Sequence, residues 1–294
     1  LSSSGLVRGS IYALIALGYT MVYGIIQLIN FAHGEIYMIG AFVALIVSGV
    51  LTIYGFSGVS ILILAALIAA SYAAAYGYTL EKIAYRPLRN APRLSPLISA
   101  IGMSLFLQNY VLLAQTPDFL PFPALIPDFD FMEPIAHIMG SPELVILVTS
   151  AVSMVALTVL IKYTRIGKAM RATQQDMTMA RLVGVNVDNV ISMTFIIGSV
   201  LAAIGGVLVG SYIGQINFYI GFMAGVKAFT AAVLGGIGNI PGAVLGALVL
   251  GLTEAYAAGY ISSAYEDVFA FGVLVLILIL RPSGLLGKAV KLKV

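Results

Sequence analysis

The sequence has no cysteine and no tryptophan, only two histidines, and very few charged residues. Without cysteine, neither a disulfide framework nor a thiolate metal site can form. Charged residues make up 9% of the 294 positions, whereas soluble domains carry about 25%. Hydrophobic residues make up 61%, which is more apolar surface than a water-exposed fold of this size can hide. These shortages exclude an ordinary soluble domain and indicate an integral membrane protein.

Enzyme signatures are also missing. The chain has no G-x-x-x-x-G-K-[ST] loop, so ATP binding through a Walker fold is not expected. Two histidines and no cysteine make a hydrolytic metal centre improbable on composition alone, and no serine lies in a nucleophile elbow. The net charge of +3 is small, and the basic residues of the chain are clustered. Such clusters indicate how a chain is oriented in the membrane and do not favour nucleic-acid binding. We therefore expect no catalytic residue, cofactor, metal or nucleic acid.

Apolar runs of spanning length fill the whole chain. A helix that crosses the hydrocarbon layer needs about 20 mostly apolar residues. The sequence therefore predicts an all-α, polytopic integral membrane protein with eight to nine transmembrane helices in a single domain, residues 1–294. The first and seventh spans adjoin polar or glycine-rich stretches, so broken or re-entrant segments are expected near 30–35 and 235–242. The predicted spans are 9–29, 36–54, 60–81, 94–115, 143–162, 190–212, 222–238, 241–258 and 266–281.

The basic residues predict the orientation. All of the 15 Lys and Arg residues except Arg8 and Lys227 fall into three clusters, and such clusters accumulate in cytoplasmic loops. We expect the C-terminus in the cytoplasm, the N-terminus outside, and residues 116–142 in a periplasmic loop. The clusters are Lys82, Arg86, Arg89 and Arg93; Lys162, Arg165, Lys168, Arg171 and Arg181; and Arg281, Lys288, Lys291 and Lys293. The acidic residues Asp118, Asp128, Asp130, Glu133, Glu143, Glu266 and Asp267 are expected on the opposite side.

The cytoplasmic segment 164–189 is too polar to span a membrane and too long for a minimal turn. Residues 168–183 contain good helix formers without proline or glycine, and Gly184 can end a helix in the left-handed conformation. The spacing predicts a short helix with a partly apolar, methionine-bearing face along the inner surface. That face can rest on lipid or on another protein, and the residues leave both open.

Polar residues inside the apolar spans are candidates for a substrate path. The segment 30–35 either forms a tight cytoplasmic turn or breaks the helix inside the membrane, where non-helical backbone must be buried or face a cavity. The glycine-rich break at 235–242 either packs helices closely or exposes backbone groups to a substrate. Interhelical hydrogen bonds also explain Gln108 and Asn109, and extension to the headgroups also explains Lys227 and Glu254. The path candidates are Asn30, His33, Glu35, Gln108, Asn109, Lys227, Asn239 and Glu254.

The chain resembles the branched-chain amino acid ABC transporter permeases of the Liv type, H-subunit kind. The resemblance rests on YALIALGYTMVYGIIQLINFAHGE at 12–35, AYRPLR at 84–89 and LISAIGMSLFLQNY at 97–110, and above all on YIGFMAGVKAFTAAVLGGIGNIPGA at 219–243. The loop 116–142 matches that pattern poorly. The segment 167–185 is similar to the loop that, in this family, contacts the ATPase. The coupling residues carried over are Gly167, Lys168, Arg171, Ala172, Asp176, Ala180, Arg181 and Gly184.

This resemblance implies a permease in the bacterial inner membrane, embedded in the lipid bilayer, that imports leucine, isoleucine and valine. It implies a heterodimer with a second, related permease, two cytoplasmic ATP-binding subunits that hydrolyse ATP, and a periplasmic amino-acid-binding protein. Three alternatives stay open: an ion-coupled secondary transporter, a lipid-modifying membrane enzyme, and a permease of the same family for urea, amides or other amino acids. His33 and Glu35 are the only close titratable pair that an ion-coupled carrier could use. The basic inner loops disfavour the enzyme.

Overall fold

The structure, a computed structural model, describes residues 2–89, 91–92, 94–127 and 139–287. Apart from two strands of two residues each, the regular structure in these ranges is helical. The helices are α1 (Ser2–Ile26), α2 (His33–Ile53), α3 (Val59–Leu80), α4 (Leu94–Ala114), α5 (Ser141–Tyr163), α6 (Arg165–Gln175), α7 (Met177–Leu182), α8 (Val187–Ile213), α9 (Ile220–Gly235), α10 (Ile240–Tyr260) and α11 (Glu266–Leu280). A π-helical turn, Glu81–Tyr85, and a 3₁₀ turn, Arg86–Leu88, extend α3.

Eight helices in the described part of the chain are long and apolar enough to cross a membrane, and α9, with 16 residues, is a shorter apolar helix. The all-α polytopic fold is therefore confirmed. The first span differs from the prediction, since α1 runs from Ser2 to Ile26 instead of 9–29. The first residues of α1 are polar, so hydropathy alone does not assign them to the span. In the structure, Gly5 and Gly9 let the backbone of α1 pack directly against α10.

The two ends of the helix bundle differ in charge. At one end, here called the basic end, Arg86 and Arg89 contact Asp188 at the start of α8. Lys162, Arg171, Gln174 and the segment 237–241 meet around a common cavity at the same end. At the other, acidic end, Glu266 and Asp267 begin α11. Of the predicted clusters, Arg93, Lys288, Lys291, Lys293, Asp128, Asp130 and Glu133 lie outside the described residues.

Both predicted breaks are present. Between α1 and α2, Gln27 adopts a positive φ of 53° and the chain leaves the helical path until His33. The His33 imidazole lies against Gly18 of α1 and Gly198 of α8, so α2 begins well inside the bundle. Between α9 and α10, Gly236 and Gly238 have positive φ values and turn the chain. Asn30 and Gly236 in these breaks are buried, whereas Gln27 and Gly238 are exposed.

The acidic end also carries the only strands of the described residues. β1 (Leu120–Pro121) pairs antiparallel with β2 (Gln215–Ile216), which follows α8 directly. Phe122, the residue after β1, is buried and packs over Gly210 of α8. This pairing fixes the first part of the loop 116–142 on the end of α8, while residues 128–138 of the loop lie outside the described ranges.

Candidate functional site

Glu35 lies in the first turn of α2, immediately after the break that follows α1. Its carboxylate is fully buried, and Oε1 accepts a hydrogen bond of 2.9 Å from Ser104 Oγ of α4. Gln108, one helical turn further along α4, is also buried. We call this group of Glu35, Ser104 and Gln108 the α2–α4 seam. Ser104 contacts the Glu35 carboxylate, and Gln108 follows Ser104 on the same face of α4.

Asn30 and His33 do not join the seam. Asn30 Oδ1 accepts a hydrogen bond of 2.9 Å from the buried Tyr85 hydroxyl, which ties the break to the end of α3. His33 faces α1 and α8 and packs edge-on against the Tyr19 ring at 4.9 Å between centroids. All three polar residues of 30–35 are buried in protein, and none of them reaches the surface of the bundle.

Lys227 and Glu254 form an ion cluster at the acidic end. Lys227 Nζ lies 3.2 Å from Glu254 Oε1 and 2.7 Å from Asp267 Oδ1. Glu254 is fully buried, and its Oε2 accepts 2.7 Å from the Tyr12 hydroxyl. These side chains pair with each other instead of extending to the headgroups. The acidic-end ion cluster consists of Arg8, Tyr12, Lys227, Glu254, Glu266 and Asp267.

Two further path candidates have local roles. Asn109 is exposed, and its amide donates 2.7 Å to the Leu105 carbonyl of its own helix. Asn239 caps α10 through Gly242 N at 3.3 Å and donates 2.8 Å to the Leu286 carbonyl. Two pairs of the eight candidates therefore lie in shared regions: Lys227 contacts Glu254 in the acidic-end ion cluster, and Glu35 and Gln108 belong to the α2–α4 seam. The other four occupy separate places.

The predicted coupling helix is two helices. Instead of one helix over 168–183, the structure has α6 and α7 on either side of Asp176, whose φ of −159° is extended. The Asp176 carboxylate accepts 2.7 Å from Thr178 N and 3.0 Å from Met179 N. An aspartate that caps a new helix in this way competes with continuation of the preceding helix. Gly184 ends α7 at φ 87°, in agreement with the sequence.

Some of the other predicted coupling residues are buried against the bundle and others are exposed. Gly167 packs on the carbonyls of α5, and Ala180 is buried. Arg171 donates to the Ile161 and Lys162 carbonyls at the end of α5. Lys168 and Arg181 are exposed, while Ala172 is partly buried in the bundle. An exposed apolar tip follows, formed by Met179, Leu182 and Val183, with 59%, 75% and 77% of their surface accessible.

Sequence reasoning did not identify the residues that join this segment to the bundle. Asp188 of α8 accepts 2.8 Å from Arg86 and 2.5 Å from Arg89, and lies 3.9 Å from Arg181. Arg89 also pairs with the fully buried Glu81, whose second oxygen accepts 2.7 Å from Ser192. The available sequence signal for this cluster was Glu81, a single acidic residue at the end of an apolar span. We call Glu81, Arg86, Arg89, Arg181, Asp188 and Ser192 the Asp188 cluster.

A cavity of about 530 Å³ opens at the basic end. Its apolar wall includes Met21, Ile25 and Met170, and its polar lining includes Arg171 and Gln174. The cavity lies where α1, α5, α6 and the α9–α10 break meet. A displacement of α6 would therefore change the contacts of three transmembrane elements together.

Comparison with known proteins agrees with this architecture. Residues 1–278 match the family described as branched-chain amino acid transport system, permease component. The high-affinity branched-chain amino acid transport system permease protein LivH of Salmonella typhimurium is 49% identical over 289 residues, covering 97% of this chain and 94% of LivH. BraD of Pseudomonas aeruginosa is 50% identical over the same shares. The probable LivH of Methanocaldococcus jannaschii is 23% identical over 96% of this chain and 90% of its own.

No solved structure matches the chain. The family match covers nearly the whole sequence, including both helix breaks, the segment α6–α7 and the acidic-end ion cluster. The chain therefore belongs to the family of branched-chain amino acid transport system permease components.

Proposed function

We propose that this chain is the membrane-spanning subunit of an ATP-driven importer that carries leucine, isoleucine and valine across the bacterial inner membrane. The family match and the relatives named for high-affinity branched-chain amino acid transport support this proposal. The chain supplies the path and the moving helices. ATP is hydrolysed on two separate cytoplasmic subunits, since the sequence has no Walker loop.

The basic end faces the cytoplasm, and the C-terminus lies there too. Lys and Arg are retained on the cytoplasmic side of membrane proteins, and the described basic residues of all three clusters lie at this end. The acidic end, with the β1–β2 pair, then faces a periplasmic amino-acid-binding protein. A second, related permease completes the path as a heterodimer, because a zwitterion needs an enclosed route that one bundle with a buried core does not provide.

The observation that carries the coupling mechanism is the exposed apolar tip of α7 beside the Asp188 cluster. Met179, Leu182 and Val183 present apolar surface at a strongly basic end, and such surface is typical of a protein contact. Arg181, next to this tip, lies 3.9 Å from Asp188. An ATP-binding subunit docked on α6–α7 thus pushes on a segment that is linked by ion pairs to α3 and α8.

Transport follows as alternating access driven from outside this chain. ATP binding moves the docked subunits, α6–α7 transmits the movement, and the helices open the path to one side and then to the other. The amino acid's aliphatic tail fits apolar helix surfaces, while its charged groups need a few polar contacts. We expect low affinity in the permease itself, because tight binding would slow release.

The test is reconstitution of the complete complex in proteoliposomes. We expect leucine uptake that requires ATP and the binding protein, and that persists when ionophores collapse proton and sodium gradients. Uptake driven by an ion gradient without ATP would instead identify an ion-coupled carrier. Competition with valine, isoleucine and urea distinguishes the branched-chain substrate from others of the same family.

The coupling role has a separate test. Replacing Gly184 by Ala strains a backbone at φ 87°, and Arg171→Ala removes the donors to the end of α5. We expect the Gly184→Ala/Arg171→Ala double variant to lose ATPase assembly or to hydrolyse ATP without uptake. Ser71→Ala, on the exposed face of α3, is the control. Normal ATP-driven uptake by the double variant would contradict the coupling role.

A further inference from the structure

The α2–α4 seam contains two buried polar atoms of opposite character that lack partners. Within the described ranges, Glu35 Oε2 and Gln108 Nε2 form no hydrogen bond. The first is an acceptor on a carboxylate and the second is a donor on an amide. Buried polar groups are nearly always hydrogen-bonded, so each of these two atoms has hydrogen-bonding capacity that is free for a ligand. Glu35 Oε2 lies beside Gly221 of α9.

Glu35 also lacks a counter-ion. No Lys, Arg or His nitrogen of the described residues lies within ion-pair distance of its carboxylate, in contrast to Glu81 and Glu254. Lys227, on the neighbouring helix α9, is held by Glu254 and Asp267. A carboxylate left alone inside a membrane protein is costly, and one that persists there marks a functional position.

The seam lies behind a helix that can move. α4 packs mainly on α2 and on the turn Glu81–Tyr85, and its opposite face, with Leu105 and Phe106, is exposed. The central contacts of the bundle, between α1 and α10 and between α3 and α8, do not involve α4. A displacement of α4 therefore opens the seam while the α1–α10 and α3–α8 contacts stay in place, and it separates Ala100 and Leu107 of α4 from the apolar core.

An α-amino acid carries a cationic donor and an anionic acceptor on one carbon. We propose that the α2–α4 seam binds the zwitterionic head group of the transported amino acid. Glu35 Oε2 and Ser104 Oγ accept from the ammonium group, and Gln108 Nε2 donates to the carboxylate. Ser104 retains lone pairs for this contact while it donates its proton to Glu35. The ligand thereby supplies both missing partners and the missing charge.

This assignment rests on the proposed function and deepens it, because it names the groups that recognise the substrate. The assignment also explains how the permease selects a zwitterion while it does not distinguish one aliphatic substrate side chain from another. The aliphatic side chain is left among buried apolar residues of α2 and α4, such as Ile39 and Leu107. Discrimination among aliphatic side chains then belongs to the binding protein.

The first experiment compares Glu35→Gln, which keeps the shape and removes the charge, with Asn109→Leu as a control on the exposed face of α4. Both are assembled with the partner subunits and tested for ATP-driven leucine uptake at subsaturating leucine. We expect Glu35→Gln to lower uptake by at least about tenfold, as loss of a buried charge contact does. Gln108→Leu should lower it less, and Asn109→Leu should not. Native uptake by Glu35→Gln would overturn the assignment.

The second experiment uses the absence of cysteine in this chain. Ser104→Cys is labelled by aminoethyl methanethiosulfonate, a small cationic thiol reagent, with Asn109→Cys as the matched control. During ATP turnover, leucine delivered by the binding protein should slow labelling of Ser104→Cys and leave Asn109→Cys unchanged. Equal effects on both, or none on Ser104→Cys, would overturn the assignment even if Glu35→Gln fails to assemble.

Uptake is measured in the same vesicles. If ATP-driven uptake is present and leucine does not protect Ser104→Cys, the seam assignment fails and the proposed function stands. If the native complex shows no ATP-driven uptake, the proposed function itself fails. The two conclusions are therefore separable.

Discussion

Lys227 lies on an otherwise apolar helix, and its ammonium group contacts Glu254 at 3.2 Å and Asp267 at 2.7 Å. The side chain of Glu254 is fully buried, and 12% of the Lys227 side-chain surface is accessible. Arg8 pairs with Glu266 at 2.7 Å and joins α1 to the same cluster. At the residue scale, the acidic-end ion cluster compensates its buried charges, whereas Glu35 has no such partner. The same residue type therefore has a structural role in one place and a proposed binding role in the other.

Replacing Lys227 by Met should destabilise the protein, because Glu254 then keeps a buried charge without compensation. Breaking a buried ion pair by removing one partner costs about 3–5 kcal/mol. We expect a lower midpoint in thermal unfolding of the purified complex, measured as loss of monodisperse protein. Lys82→Met, on an exposed residue over the Tyr78 ring, is the control and should change little.

The double variant Lys227→Met/Glu254→Gln distinguishes charge from packing. Since it removes both buried charges, it should recover much of the stability that Lys227→Met loses. A double variant as unstable as the single one would show that the lysine acts through its packing.

At the scale of elements, glycines set how closely the helices approach. A β-carbon at Gly206 of α8 would overlap the Tyr37 carbonyl oxygen of α2, while one at Gly102 of α4 would meet nothing within 4 Å. Gly206→Ala should therefore separate α8 from α2 and cost about 1–3 kcal/mol. Gly102→Ala should be neutral or gain up to about 1 kcal/mol from helix propensity. Thermal unfolding of the two variants side by side checks this, and equal midpoints would contradict it.

The Asp188 cluster links elements that are far apart in sequence. Asp188→Asn keeps the size of the side chain but weakens its contacts with Arg86, Arg89 and Arg181. We expect the complex to assemble, while ATP hydrolysed per leucine transported rises by about fivefold, the lower end of typical coupling effects. ATPase activity and uptake measured in the same proteoliposomes give this ratio. An unchanged ratio in Asp188→Asn would exclude this cluster from coupling.

At the scale of the whole molecule, the separation of charge between the two ends predicts one orientation. A cysteine introduced at Asp118 should react with an impermeant maleimide in intact spheroplasts. One at Gln175 should react only after the membrane is permeabilised, since α6 lies at the basic end. Both positions are exposed, so access is decided by the side of the membrane. The reverse labelling pattern would place α6–α7 in the periplasm and end the proposed coupling.

The all-α membrane fold, the position of nearly every span, both helix breaks and the glycine stop at Gly184 could be predicted from the sequence alone. These features depend on hydropathy, backbone freedom and charge, which each short segment carries within itself. The capping aspartate that divides α6 from α7 was local too, since Asp176 favours a helix start, but good helix formers on both sides concealed it.

Which polar residues contact each other could not be predicted in this way and depends on how the helices pack. Lys227 and Glu254 are separated by 27 positions and Glu35 and Ser104 by 69, and hydropathy treats all four alike as polar residues in apolar spans. Whether a buried charge is compensated depends on which helix faces are packed together, and that is set by close glycine contacts between distant segments. For the same physical reason, the Asp188 cluster became visible only once α3, α7 and α8 were placed side by side.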